Sequence, residues 1–424
     1  MQLTDLHGSL SDPLLDTMNF LNEVTARFPD AVSFAPGRPY DEPFDPSVVA
    51  GYLDAYAKYL ERDRGLSQRQ VGGLLFQYGR TKGQIHELVA ATVANDEGIE
   101  VPPESIVVTV GAQEGMLLAL RALFRDSADV LLVASPCYVG ITGAARLLDI
   151  AVEPVPEGPS GVDAAAVRAA AARVRAGGRR PRALYAVPDF ANPSGTSMPE
   201  SARRELLAAA VEEDLYVLED NPYGLFSRTG AWTPTLKRLD GHRRVVYLGS
   251  FAKTCFPGAR VGYTIADQPV VGPDGSLTLL ADQLSKIKSM TTVNTSPLAQ
   301  AVIGGMLVTY GCRLRVLNEE RIRRYRDRLD ALLAALRRHF GADGAISWNV
   351  PEGGFFLVVS LPFVADEAAL TRSARDHGVL WTPMSYFYAG AGGERQIRLS
   401  CSYLEVAEID DGVRRLREFV QAHR

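Results

Sequence analysis

Short apolar runs alternate with longer amphipathic ones through the middle of this chain, and no other feature restricts its fold as strongly. The runs Ile106–Val110, Val130–Ala134, Ala183–Val187, Tyr216–Leu218, Val245–Leu248 and Val261–Ile265 hold no charged residue and, apart from Thr109, Thr264 and tyrosine hydroxyls, no polar side chain to offer water. Strands of that kind must be covered on both sides, which predicts a mostly parallel sheet with helices on each face. Ala112–Phe124 and Glu200–Glu213 carry the helical period between them. The spacing therefore predicts an α/β domain over about residues 50–300.

The remainder reads differently. Ser296–His339 has one long helical pattern with an arginine-rich outer face, suited to bridging two domains. Residues 301–424 then predict a smaller α+β domain, with strands at Phe355–Leu361 and Ile397–Ser400 and helices at Glu367–His377 and Ala407–Gln421. Residues 1–49 are expected to pack on that domain or close over a site. Gly158–Gly161 and Gly177–Pro181 read as loops flanking an alanine-rich helix. No internal repeat is visible.

Composition narrows the function classes. A net charge of -5 gives no electrostatic case for nucleic acid or an anionic membrane. No apolar run reaches membrane-span length. The opening MQLTDLHGSLSDP lacks a secretory pattern, so a cytoplasmic location is expected. Cys137, Cys255, Cys312 and Cys401 are scattered without a CxxC pair, and no HExxH occurs, so no metal site is expected. Six lysines stand among 45 basic residues, which leaves few candidates for lysine chemistry.

Four segments carry candidate chemistry. In VVYLGSFAKT, an apolar strand ends at Gly249, and Ser250 and Lys253 follow, with Arg260 beyond in GARVGY. A hydroxyl and a guanidinium flanking a lysine suit a phosphate beside an imine. In VPDFANPSGT, Asn192 opens a turn-prone Asn-Pro-Ser-Gly. In LYVLEDNPYG, Asp220 closes a strand and Tyr223 follows; the carboxylate suits a protonated ring nitrogen, and equally a cap for the next turn. In TVGAQEG, the amides of Gly111, Ala112 and Gln113 open a helix whose N-terminus suits a phosphate. Each alone also reads as an ordinary strand end or turn.

Taken in order, the four segments resemble the fold-type-I, class I/II aminotransferases that use pyridoxal 5'-phosphate, from about Phe34 to the last helix. The resemblance implies a large sheet domain of the aspartate aminotransferase type and a small C-terminal α+β domain. It implies that Lys253 holds the cofactor as a Schiff base and carries the proton. Asp220 would pair with the pyridine nitrogen, and Asn192 and Tyr223 with the ring's 3' oxygen. Tyr138, in SPCYVG, would stack on the ring, and Gly111, Ala112, Gln113, Ser250 and Arg260 would hold the phosphate. Arg398 would clamp the substrate α-carboxylate, with Gly37 over the substrate and Asn192 beside it. Tyr78 would reach the phosphate of a neighbouring subunit, and Thr292–Ser296 would form another cross-subunit contact, implying a homodimer with shared sites. The implied reaction exchanges an amino group between an amino acid and a 2-oxo acid in two half-reactions, with ping-pong kinetics.

Two segments depart from the family pattern. Thr382–Phe387 places Met384 where a glycine is common, and residues 37–45 place Arg38, Tyr40, Asp41 and Glu42 where relatives are less charged. Both can shape the side-chain pocket. The opening, from LHGSLSDP to SFAPGRPYD, resembles an actinobacterial branch that serves nonribosomal peptide pathways, including transaminases of dihydroxyphenylglycine and hydroxyphenylglycine. That resemblance implies an arylglycine product, with enduracididine, aminoadipate or aromatic amino acids as competitors. Three other readings stand beside it: another pyridoxal-phosphate reaction on the same fold, a cofactor-binding transcription regulator, and a non-enzymatic relative. A regulator needs a winged-helix domain, for which about 40 residues before the core leave no room. The set Lys253, Asp220 and Arg398 argues against the last.

Overall fold

A computed structural model describes residues 1–40 and 45–423. Its centre is an eight-stranded sheet in the order Ile106–Thr109, Gly262–Ile265, Val245–Ser250, Tyr216–Asp220, Arg180–Ala186, Asp129–Ser135, Ala151–Gly158 and Gly161–Val162. The central strands pair in parallel, while Gly262–Ile265 runs antiparallel to both of its neighbours. Val245, Val246, Tyr247 and Leu248 are all within 1% of complete burial. Burying such a side chain contributes roughly 1.5–3 kcal/mol relative to exposure, so the apolar runs have one place to go. Helices Gly111–Leu123 and Leu280–Thr291 cover one face, and Ala164–Ala176 and Glu200–Glu212 cover the other.

The sheet contains two strands that the apolar pattern does not reveal, Ala151–Gly158 and Gly161–Val162, and they take in both ends of the expected loop Gly158–Gly161. Ala151–Gly158 carries two prolines and two glutamates and is mostly half-buried. It pairs on one side with Asp129–Ser135 and ends in a two-residue hairpin, so its side chains need not be apolar.

The second unit is a four-stranded antiparallel sheet, Ser347–Trp348, Phe356–Ser360, Gln396–Ser400 and Thr382–Pro383. Helices Glu319–Phe340, Glu367–His377 and Val406–His423 enclose its core with Trp381, Phe419 and Leu416. The predicted helical stretch 296–339 is three helices, Pro297–Thr309, Leu314–Leu317 and Glu319–Phe340. Gly311 and Cys312, at φ +59° and +54°, break it. The expected domain limits at 49/50 and 300/301 fall inside Pro46–Arg62 and Pro297–Thr309. Those two helices pack on each other so closely that a Cβ at Gly305 would overlap the backbone of Tyr52.

The N-terminal segment touches both units. Pro13–Arg27 starts at an Asp12 cap with proline in its first turn. It packs on helix Val139–Leu147, where Asp12 pairs with Arg146 at 3.0 Å. Phe20 meets the ring of Tyr386 edge-on, and Val32–Ser33 pairs in parallel with Val379–Leu380. Among the described residues, no helix is long and apolar enough to cross a membrane.

Candidate active site

Five strands that share one direction release their chains on the same edge of the large sheet. Gly111 follows Ile106–Thr109, Tyr138 follows Asp129–Ser135, and Asn192 follows Arg180–Ala186; Asp220 and Ser250 close their own strands. Open α/β sheets hold ligands at such carboxyl ends. A cavity of about 590 Å³ lies there, lined by Ala112, Gln113, Tyr138, Asn192, Asp220, Tyr223, Ser250, Lys253, Arg260 and Arg398, with Gly37 and Arg38 from the N-terminal segment.

Lys253 Nζ donates to the carbonyl of Gly37 at 2.7 Å. Burial, followed by the Arg398 and Arg260 cations, pulls its pKa down to about 8. The amine is thus more readily neutral than an ordinary lysine, the form that attacks a carbonyl or takes up a proton.

Asp220 Oδ2 accepts a 2.6 Å hydrogen bond from the Tyr185 hydroxyl, whereas Oδ1 has no partner among the described residues. Burial pushes this carboxyl up to about 6 against the lowering effect of Tyr185. Tyr223 is buried beside it, its phenol raised by burial. Tyr138 folds back over Gly140, and burial pushes its phenol up to about 12.

Gly111 lies at φ +73°, and a Cβ on it would stand 2.6 Å from Arg260 Nη2. The guanidinium of Arg260, itself at φ +50°, therefore rests against the first turn of helix Gly111–Leu123, whose leading amides have no helical partners. The acidic side chain of that turn points away: Glu114 is held by Lys288 at 2.7 Å, Thr292 at 2.5 Å and the amide of Val110 at 2.7 Å. Ser250 accepts from the amide of Ala252, and Gln113 donates to the Gly140 carbonyl.

Arg398 enters from the small sheet. It is 2% exposed, donates to Asn192 Oδ1 at 2.7 Å and the Ala35 carbonyl at 2.8 Å, and lies over the rings of Phe356 and Phe387 at 4.5 and 4.7 Å. Burial pulls it down to about 10, and its Nε has no partner among the described residues. A Cβ on Gly37 would stand 2.6 Å from the Phe356 ring, so only glycine lets the N-terminal segment pass over it.

The predicted residues therefore converge, with two positions apart. Gly111 stands behind Arg260 and does not line the cavity. Tyr78 is 85% exposed and also does not line it. Met384 does not line the cavity either; it is buried against Val139 and Phe387. Asp41 and Glu42 lie outside the described residues. Sequence reasoning missed Tyr185, Phe356 and Thr25, the last lining the cavity from the N-terminal helix. An apolar strand or an aromatic pair gives no sign of what it faces.

A reactive lysine, an unpartnered buried carboxylate oxygen and an anion cradle in one cavity define an enzyme that holds a phosphorylated carbonyl cofactor. Pyridoxal phosphate fits this set, because its ring nitrogen would satisfy Asp220 Oδ1 and its phosphate the Arg260 cradle. Comparison with known proteins gives the family. The model of "Aminotransferase class I and II" matches residues 57–416. The (S)-3,5-dihydroxyphenylglycine transaminase of Amycolatopsis orientalis is 49% identical over 422 residues, covering 100% of this chain and 95% of that protein. The α-aminoadipate aminotransferase of Thermus thermophilus, solved with N-(5'-phosphopyridoxyl)-L-leucine, is 30% identical with a TM-score of 0.80, covering 100% and 99%. The kynurenine aminotransferase of Pyrococcus horikoshii, solved with PMP, is 26% identical with a TM-score of 0.82, covering 100% and 97%. This chain belongs to the class I and II aminotransferases, enzymes of fold type I that use pyridoxal phosphate.

Proposed function

We propose that this aminotransferase makes an arylglycine of the 3,5-dihydroxyphenylglycine kind from its 2-oxo acid, as a precursor in antibiotic biosynthesis, in the cytoplasm. The 49% identity over the whole chain to a transaminase of that amino acid carries the reading. When bound, pyridoxal phosphate supplies a carbonyl that takes up the amino group and a protonated ring that accepts an electron pair.

The chain's own residues do the rest. Lys253 holds the cofactor between turnovers and, once released, takes the proton from the substrate's Cα. Its pKa near 8 suits both tasks at neutral pH. Asp220 keeps a proton on the ring nitrogen, and Asn192 and Tyr223 bind the ring's 3' oxygen. Tyr138 covers the ring face. Ser250, Arg260 and the amides of Ala112 and Gln113 bind the phosphate. Arg398 receives the α-carboxylate, and its aromatic seat and Asn192 fix its plane. Gly37 passes above the substrate and excludes water.

The working unit in this reading is a homodimer. Phe76, Tyr78, Met290, Val293 and Leu298 are exposed apolar side chains on two segments that meet at Gly79 and Asn294. A partner covering them would bring Tyr78 to its own site, and light scattering should then give twice 46.0 kDa.

A second reading, 2-aminoadipate, is favoured by Arg38, a cation on the cavity wall suited to a second carboxylate. The purified enzyme should be given (S)-3,5-dihydroxyphenylglycine and 2-aminoadipate with a common 2-oxo acid acceptor, and the new oxo acid identified by mass spectrometry. A higher kcat/KM for the arylglycine supports the proposal; a higher value for aminoadipate replaces it with the second reading.

A further inference from the structure

We propose that Tyr185 is a positioning residue for the cofactor, whose hydroxyl holds one oxygen of Asp220 so that the other is presented, ionised, to the pyridine nitrogen. The inference rests on the reading of Asp220 as the partner of that nitrogen.

Three observations carry it. First, the bond is short and enclosed: Tyr185 Oη donates to Asp220 Oδ2 at 2.6 Å, and Tyr185 is 0% exposed on strand Arg180–Ala186, next to the strand that ends at Asp220. Second, the carboxylate is satisfied on one side only. Oδ2 has the phenol, while Oδ1 has no partner among the described residues and Asp220 lines the active-site cavity. Third, the adjacent buried carboxylate is satisfied on both sides: Glu219 accepts from the amides of Leu236 and Lys237 at 2.8 and 2.7 Å. Side chains alternate across a strand, so Glu219 serves the opposite face of the sheet and Asp220 the ligand face.

The physical consequence follows from the two oxygens. A carboxylate on a free χ2 torsion turns readily, and a ligand's N–H needs one of its oxygens in a fixed place. The phenol locks that torsion. It also donates to the charged form, which favours ionisation against burial. Tyr138, Tyr223 and, beside Tyr185, Cys137 are the other titratable groups turned toward this carboxylate from neighbouring segments. Burial pushes Tyr138 and Cys137 up to about 12 and raises Tyr223 as well, so these stay neutral in acid. Across the cavity, Lys253 near 8 and Arg398 near 10 stay protonated when free there. Among these groups Asp220, pushed up to about 6, is the one that changes charge in acid, so the difference between wild type and a Tyr185 variant reads Asp220.

Holoenzyme should be dialysed from about pH 5 to 8 and its retained pyridoxal phosphate measured for wild type, Tyr185→Phe and Asp220→Asn. Phenylalanine fills the same space and deletes only the donor. The pH of half-loss should rise by about one unit in Tyr185→Phe, so that retention at a pH below both limbs weakens about tenfold. The pH titration of the bound cofactor's visible absorption should move the same way. Asp220→Asn should lose cofactor throughout. If Tyr185→Phe matches wild type while Asp220→Asn loses cofactor, the role of Tyr185 is overturned and the role of Asp220 stands. If Asp220→Asn retains cofactor as wild type does, the reading of Asp220 falls and the inference with it. Should Tyr185→Phe fail to fold, 3-fluorotyrosine at position 185 decides: a stronger donor of the same shape must lower the limb, and an unmoved limb overturns the inference.

Discussion

The two ends of the active-site cavity are built in different ways. The cofactor end uses one edge of the large sheet: Asp220 and Ser250 close buried strands, Lys253 follows one, and Arg260 leads into the antiparallel strand Gly262–Ile265. The substrate end is assembled from remote segments. Arg398 stands on the small sheet and reaches Ala35, 363 positions away, and Asn192, 206 positions away. Its two aromatic neighbours come from two further segments, at Phe356 and Phe387. Reaction chemistry is thus held by one rigid scaffold, and recognition by contacts that exist only once both units and the N-terminal segment are in place.

That contrast predicts where substitutions separate chemistry from recognition. The largest effect is expected at the cofactor end. Lys253→Ala removes the group that moves the proton, and kcat should fall by about 10⁴-fold, read as oxo acid formed per enzyme. Equal rates in the variant and wild type would remove lysine from the chemistry. Next comes the substrate end. Arg398→Lys keeps the charge but loses the paired donors and the guanidinium that lies over the rings of Phe356 and Phe387. The kcat/KM for the amino acid should fall about 10²-fold, while cofactor affinity by titration stays within a few fold. A matching loss of cofactor affinity would dissolve the distinction between the two ends.

A pH experiment sharpens the cofactor end alone. In cofactor-free enzyme, labelling of Lys253 by an amine reagent, followed by peptide mass spectrometry, should rise with pH through about 8. The sign follows from burial, which disfavours the charged amine and lets the proton leave earlier than from a solvated lysine. A midpoint near the ordinary lysine value of about 10.4 would show that the cavity does not perturb it. The smallest effect is expected farthest from the chemistry. Asp12→Ala deletes the cap of helix Pro13–Arg27 and its pair with Arg146. The loss of about 1 kcal/mol should speed amide exchange in the first turn roughly fivefold and leave kcat unchanged. A large drop in kcat would show that the first turn of this helix, and not only its Thr25 end, bears on the chemistry.

Much of the cofactor end was legible in the chain, because apolar strand ends mark the sheet edge and each motif follows one. Lys253, Asp220, Asn192 and Tyr223 meet in the cavity as their order implied. Tyr185 was not legible, since inside an apolar strand a tyrosine reads as core until its neighbour strand is known. Strand Ala151–Gly158 was hidden for a related reason: it is half-buried, so its prolines and glutamates mask the pattern. Met384, in a divergent loop, read equally as a wall of the pocket or as a neutral change, and it packs against Val139 and Phe387 without lining the cavity.

By itself, then, the amino-acid sequence determined the α/β class through local apolar patterning. The lysine and the carboxylate came from the order of the motifs along the chain, as the family resemblance implied. The tertiary structure alone decided which oxygen of Asp220 is left without a partner, which aromatic faces seat Arg398, and why Gly37 tolerates no side chain. Those depend on pairs brought together across tens to hundreds of residues, and no local pattern encodes the direction in which a buried polar atom points.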